Sequence, residues 1–187
     1  MDQKTLKFNA QVAADFVRQR ITCQPKIAMI LGSGLNSLAD SVQDPRIIPF
    51  GDIPDFPTST VQGHMGRLLV GYLADIPVLI MQGRVHYYEG YDAAQITFPI
   101  RVMQFLGIEK LIVTNAAGGL DSNMSPGDLM AIDDHIYFAG MAGHNPLRGP
   151  ADEELGPRFP SMTHAYSKKM LQALDQALEA HQHVGFG

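Results

Sequence analysis

A chain of 187 residues with a formal net charge of −5 at pH 7 suits one domain with a sizeable core, and it lacks the basic surplus of a nucleic-acid binder. Its 45% hydrophobic and 18% charged residues are ordinary for a soluble protein, and no apolar run is long enough to cross a bilayer. The lone Cys23 excludes an internal disulfide and a multi-cysteine metal site, and Met1-Asp2-Gln3-Lys4 does not read as an export signal, so a cytoplasmic location without membrane or nucleic-acid partners is expected.

Leu6 to Ile21 reads as an amphipathic helix, because Val12, Ala13, Phe16, Val17 and Ile21 recur at helical spacing and Pro25 stops the pattern. These side chains are expected in the core. Lys26 to Leu31 follows as a short buried strand and opens into Gly32-Ser33-Gly34-Leu35. Glycines permit a tight turn and close backbone approach to a ligand, and the Ser33 hydroxyl beside backbone N–H groups has the composition of an anion nest. The stretch is not a dinucleotide fingerprint, which needs Gly or Ala where Ser37 stands, and the chain has no Walker-type Gly-Lys-Ser/Thr. Taken alone, such a stretch is more often merely a turn.

Residues 45–66, rich in Pro, Gly, Thr and Ser, read as a long surface segment with a short strand at most. His64 lies there between Gly63 and Met65-Gly66; the glycines let backbone close on a ligand, yet a solitary histidine also serves as a partnered structural residue. Leu68 to Leu73 and Val78 to Met81 read as strands around the turn Ala74-Asp75-Ile76-Pro77. Directly after them, Arg84, His86, Tyr87, Tyr88 and Glu89 crowd together and Gly90 closes the run. The Arg84 fork suits a phosphate or carboxylate, and His86 can donate to the same anion or carry a proton near neutral pH. Glu89 can hold the histidine tautomer or stabilise developing positive charge. The alternative is a solvated polar turn.

Asp92 and Gln95 form a capping box for a helix to about Leu106, with a break or kink near Pro99, an inner stripe of Ile100, Met103 and Leu106, and Gly107 as the C-terminal cap. Lys110 to Thr114 is the next buried strand, and strand–helix–strand at this spacing makes the sheet at least partly parallel. It ends in Asn115-Ala116-Ala117-Gly118-Gly119, small residues that bare main-chain N–H groups to a ligand or simply turn. Three apolar strands, ending at Leu31, Met81 and Thr114, thus open into polar or glycine-rich loops. In an open α/β sheet such loops gather at one edge, where ligands bind.

Ser125 to Asp128 is expected to turn into a further strand, Leu129 to Ile132, leading to Asp133-Asp134-His135. Residues 139–160 form a Gly- and Pro-rich loop of a length typical of lids, binding loops or subunit contacts, and Phe159 in it is a candidate for interface, substrate or intradomain packing. A last helix, Thr163 to Ala180, is expected to bury Tyr166, Met170, Leu174, Ala177 and Leu178. His181 and His183 alone are too little for a metal site.

In this order, the motifs resemble the trimeric, low-molecular-mass purine nucleoside phosphorylases. Those carrying the likeness are Leu31 to Leu35, Gly63-His64, Gln82-Gly83-Arg84 with His86, Tyr88, Glu89 and Gly90, Thr114 to Gly119, Asp134-His135-Ile136, and Asn145 to Pro150 leading to Arg158-Phe159-Pro160. The resemblance implies one α/β domain over residues 1–187, with a mixed, partly parallel central sheet flanked by helices and C-terminally incomplete. It implies phosphorolysis of purine ribo- or deoxyribonucleosides to free base and (deoxy)ribose 1-phosphate. By position it assigns phosphate to Ser33, His64, Arg84, His86 and the Ala116 backbone, ribose to Tyr88, and catalysis to His86 and Glu89. It sends Phe159 into the active site of a neighbouring subunit of a homotrimer. Neither metal nor cofactor is expected; inorganic phosphate is the co-substrate beside the purine nucleoside.

Two departures stand out. Met65 replaces the usual alanine, and the chain ends before the family's purine-recognition segment. A non-catalytic phosphate- or nucleoside-binding remnant is therefore the second expectation, with an open sheet edge or core face. A hydrolase using water is disfavoured, because a cluster of anion donors is wasted on a neutral nucleophile.

Overall fold

The computed structural model describes residues 3–59, 65–149 and 152–181. Helix α1, Gln3–Arg18, presents Leu6, Ala10, Ala13, Ala14 and Val17 to the interior. Three alanines on that face allow close approach to α2 (Ala93–Phe105), and Arg18 Nη2 donates to the Phe105 carbonyl at 2.6 Å. Val12, expected in the core, is exposed: it lies about 100° round the helix from Ala13, off the alanine face.

Five strands form one sheet in the order β2-β3-β4-β1-β5, with β1 Ile27–Leu31, β2 Gln43–Pro49, β3 Arg67–Leu73, β4 Ile76–Gln82 and β5 Lys110–Val113. Strands β4, β1 and β5 run parallel, whereas β2, β3 and β4 are antiparallel neighbours. The mixed, partly parallel α/β architecture is therefore as expected. Side chains alternate strictly between two faces. Ala28, Ile30, Leu68, Val70, Leu79 and Met81 pack with α1 and α2, and Leu31, Leu69, Val78 and Ile80 pack on the other face with Ala39 and Val42.

The β3–β4 turn is only two residues, Ala74 and Asp75, at φ 48° and 62°, so Ile76 and Pro77 belong to the strand rather than the turn. Such paired positive φ values match the twist of a hairpin. Strand β2 begins the segment read as surface; its Gln-Asp-Pro-Arg start is polar because it is an edge strand, and only Ile48 is buried. A bulge between Gln43 and Arg46 lets β2 lie tightly on Gly71, where a Cβ would meet the Gln43 carbonyl oxygen at 2.5 Å and Val42 Cγ1 at 2.8 Å.

Helix α2 starts at the anticipated capping box, with Gln95 N donating to Asp92 Oδ1 at 2.8 Å and Asp92 N to Gln95 Oε1 at 2.9 Å. It continues unbroken through Pro99, and Gly107 caps it at φ 84°. The buried face is Phe98, Pro99, Val102 and Met103. Ile100 points outward, since the close approach of α1 selects the face that carries Pro99.

Beyond β5 the expectations fail. Leu129 to Ile132 is not a strand, and Leu129 and Met130 are exposed. Helix α3 is a single turn, Phe138–Met141, and α4, Lys168–His181, starts later than Thr163 and leaves Leu174 exposed. Among the described residues, none after Leu111 joins either core cluster. A strand needs a hydrogen-bonded neighbour and an amphipathic helix needs a surface to cover, and among the described residues neither is supplied on the far side of β5.

Gly71→Ala should lower stability by about 1–3 kcal/mol, the usual cost of overpacking, because the new methyl meets backbone of β2. Gly51→Ala, where nothing lies within 4 Å, should change it by less than about 0.5 kcal/mol. Urea unfolding of both variants checks this; equal midpoints would show that β2 does not press on Gly71.

Candidate functional site

Parallel register brings the predicted loops into line. Leu31 stands opposite Gln82 and Ile30 opposite Val113, so the loops that carry Ser33, Arg84 and Ala116 begin side by side at the carboxyl ends of β1, β4 and β5. Three separate stretches of sequence thereby leave the carboxyl ends of three adjacent strands together. In a parallel sheet this is where loop N–H groups and side chains converge on a ligand.

The loops are also bonded to one another. Gly32 N donates to Thr114 Oγ1 at 2.8 Å, and that hydroxyl donates to the Ile30 carbonyl at 3.0 Å. Arg84 Nη1 donates to the Thr114 carbonyl at 2.6 Å, which carries the guanidinium across the end of β1 to β5. A Cβ on Gly32 would come within 2.6 Å of the Thr114 oxygen and 2.8 Å of Asn115 Cα. The glycine anticipated to admit a ligand therefore admits the neighbouring loop, while Gly34, at φ 88°, makes the turn. Ser33 and Ala116 are exposed above this base, and Arg84 is half-buried.

The second part of the site is the 3₁₀ turn Tyr87–Glu89. Glu89 is only 2% exposed at its side chain and accepts from His86 N at 2.8 Å and Ser59 Oγ at 3.0 Å, with His86 Nδ1 a further 3.0 Å contact. A buried carboxylate is tolerable when donors surround it in this way. With Nδ1 carrying the proton toward Glu89, the imidazole orientation and tautomer are set. The Tyr88 ring stacks on His86 with centroids 4.9 Å apart and planes at 12°, and its hydroxyl lies 3.2 Å from Nδ1. Tyr91 donates to the Thr58 carbonyl at 2.6 Å, a second tie between residues 58–59 and this turn.

Ser33, Arg84 and Ala116 are thus brought to one edge, and His86, Tyr88 and Glu89 form a bonded group two to five residues beyond Arg84. His64 lies outside the described residues. Phe159 is 86% exposed, with the Arg158 guanidinium 5.4 Å from its ring centroid. Sequence reasoning missed Ser59 and the part played by Thr114. The one signal for Thr114 is a hydroxyl at a strand end, whereas Ser59 in a Pro- and Thr-rich stretch carries none. Among the described residues, no three His, Cys, Asp or Glu side chains are grouped to hold a metal ion.

Against known proteins, residues 26–185 match the model of the phosphorylase superfamily. The chain is 54% identical over 160 residues to purine nucleoside phosphorylase 1 of Geobacillus stearothermophilus, covering 86% of this chain and 57% of that protein. It is 48% identical over 162 residues to the purine nucleoside phosphorylase of Rattus norvegicus, covering 87% of this chain and 56% of the relative. The chain therefore spans little more than half the length of these curated relatives. Among solved structures, the Schistosoma mansoni purine nucleoside phosphorylase in complex with acetate superposes with a TM-score of 0.88 at 42% identity, covering 96% of this chain and 65% of that one. Isoform 2 from the same organism, in complex with cytosine and ribose-1-phosphate, gives 0.87 at 39% identity, covering 94% and 61%. Matched from β1 almost to its last residue, the chain belongs to the phosphorylase superfamily.

Proposed function

We propose that this chain serves phosphorolysis of purine nucleosides of the inosine and guanosine type, yielding free purine and (deoxy)ribose 1-phosphate in the cytoplasm. The observation that carries this reading is that the loops bearing Ser33, Arg84 and Ala116 leave the carboxyl ends of three adjacent parallel strands, with Arg84 bonded across to the Thr114 carbonyl. That arrangement offers a hydroxyl, a guanidinium and a main-chain amide to one anion, and phosphate is an anion that takes donors from several sides. That the relatives are purine nucleoside phosphorylases supplies the purine part of the proposal.

In this scheme the C–N glycosidic bond breaks with its electron pair leaving on the purine, which takes up a proton. A phosphate oxygen bonds to the anomeric carbon. The sugar passes through an oxocarbenium-like state, as in glycoside cleavage, and the dianion beside it stabilises that charge while acting as nucleophile. Arg84 and Ser33 position phosphate, His86 donates to it, and Glu89 holds His86 in place; Tyr88, stacked on His86, faces the ribose. Positioning and preorganised electrostatics supply the rate enhancement, and neither metal nor cofactor enters. His64 completes the phosphate donors in this proposal. The exposed Phe159 reaches the neighbouring subunit's site in a homotrimer.

Incubating the chain with inosine, with and without phosphate, tests the reading: hypoxanthine release only with phosphate is expected. Release without phosphate would mean a hydrolase. No release, with phosphate still bound, would mean the binding remnant. Arg84→Ala should weaken phosphate about 10- to 100-fold by calorimetry, the value of one charge-assisted hydrogen bond; unchanged affinity would remove Arg84 from the site. Glu89→Gln keeps the shape but loses the charge facing His86, and should lower turnover roughly 10- to 100-fold. Undiminished turnover at an unaltered urea midpoint would refute the role of Glu89.

A further inference from the structure

We propose that Gln82 is a positioning residue for the anion site, one side chain that holds the loop after β1 and the start of β3 in step with Arg84. This rests on the phosphate reading above. Gln82 ends β4, where it faces Leu31 of β1 on one side and Arg67 of β3 on the other. It is 3% exposed, and both ends of its amide are engaged. Gln82 Oε1 accepts from Arg67 Nε at 2.7 Å, and Gln82 Nε2 donates to the Asn36 carbonyl at 3.1 Å.

The chemistry of the two partners selects this residue type. Arginine can only donate and a carbonyl can only accept, so the group between them must accept at one end and donate at the other. That requirement also fixes which way round the amide lies. Glutamate could accept from Arg67 but would turn a second oxygen on the Asn36 carbonyl. Methionine has the length and satisfies neither partner. Since an unpaired buried polar group costs more than a formed bond returns, the carboxamide and its two partners are held together.

Both partners adjoin loops of the site. Asn36 opens the 3₁₀ helix Asn36–Ser41 directly after Gly32-Ser33-Gly34-Leu35, and Arg67 opens β3 directly after the segment containing Gly63 and His64. Arg84 itself is two residues along from Gln82. The Thr114 hydroxyl ties the loop after β1 to the end of β5; Gln82 ties the end of β4 to the loop after β1 and to the first residue of β3. The loop after β1 is thereby held from both sides.

The test uses the whole chain with Gln82→Glu, nearly isosteric, and Gln82→Met as a second variant. Phosphate affinity is measured by calorimetry and amide hydrogen exchange is followed residue by residue. Both variants should bind phosphate at least about tenfold more weakly, the effect of roughly 1.4 kcal/mol of lost alignment. Exchange should quicken severalfold at the amides of Leu38 and Leu69, beside the two partners, and stay unchanged at Ala28 and Leu79 in the strand interiors. Unchanged exchange beside the partners, or equal quickening throughout β1 and β4, would overturn the proposal, the latter marking a merely structural side chain. Unaltered phosphate affinity in both variants would overturn it too. If the unsubstituted chain binds no phosphate, the phosphate reading itself fails, whereas the exchange pattern still decides whether Gln82 holds the two loops.

Discussion

The Thr114 hydroxyl sits between two strands as a single atom that accepts from Gly32 N and donates to the Ile30 carbonyl. The Thr114 backbone N–H donates to the same Ile30 carbonyl at 3.0 Å, and the hydroxyl carries the pairing of β1 and β5 one step further by accepting from Gly32 N. Net worth of a hydrogen bond is only about 1 kcal/mol, yet the geometric effect is larger than that figure suggests. It presses Gly32 against the Thr114 backbone, which leaves no room for a side chain, and it presents the Thr114 carbonyl to Arg84. Position, more than binding strength, is what these bonds provide.

The Glu89 carboxylate shows the same logic in a costlier form. Burying a charge is unfavourable unless donors surround it, and here the donors come from Ser59 and from the His86 backbone and ring. A carboxylate so held cannot swing away from the imidazole, so His86 enters any encounter with an anion already oriented. Preorganisation of this kind avoids reordering dipoles when charge develops.

The molecule is uneven in how its parts are supported. Two faces of one sheet carry the core, yet among the described residues nothing after Leu111 contributes to it. Residues 152–155 are fastened to α1 instead by charge, with Lys7 Nζ 3.4 Å from Asp152 and 2.5 Å from Glu154. Such surface pairs are weak and screened by salt, so that region depends little on the packing that stabilises the sheet. Among the described residues β5 is the second edge of the sheet, opposite β2, and its Ile112 and Val113 are exposed. An apolar edge strand is a template for further pairing.

Local signals determined what local interactions decide. The Asp92–Gln95 box, the Gly107 cap and the apolar runs of β1, β3, β4 and β5 were all readable, because a cap or a strand is specified by residues close in the chain. The burial expected for β5 is not found, since its Ile112 and Val113 are exposed. Tertiary contact decided the rest. Val12 and Ile100 lie outside because the approach of α1 to α2 chose the buried faces, and β2 was hidden because an edge strand needs few apolar residues. Leu129 to Ile132 had the pattern of a strand but no neighbour to pair with. For the site, the sequence named Ser33, Arg84 and Ala116 separately, whereas only the parallel order of the strands could bring their loops to one edge. Ser59 and the double engagement of Gln82 belonged wholly to the folded state, since hydrogen bonds between residues far apart in sequence leave no periodicity to read.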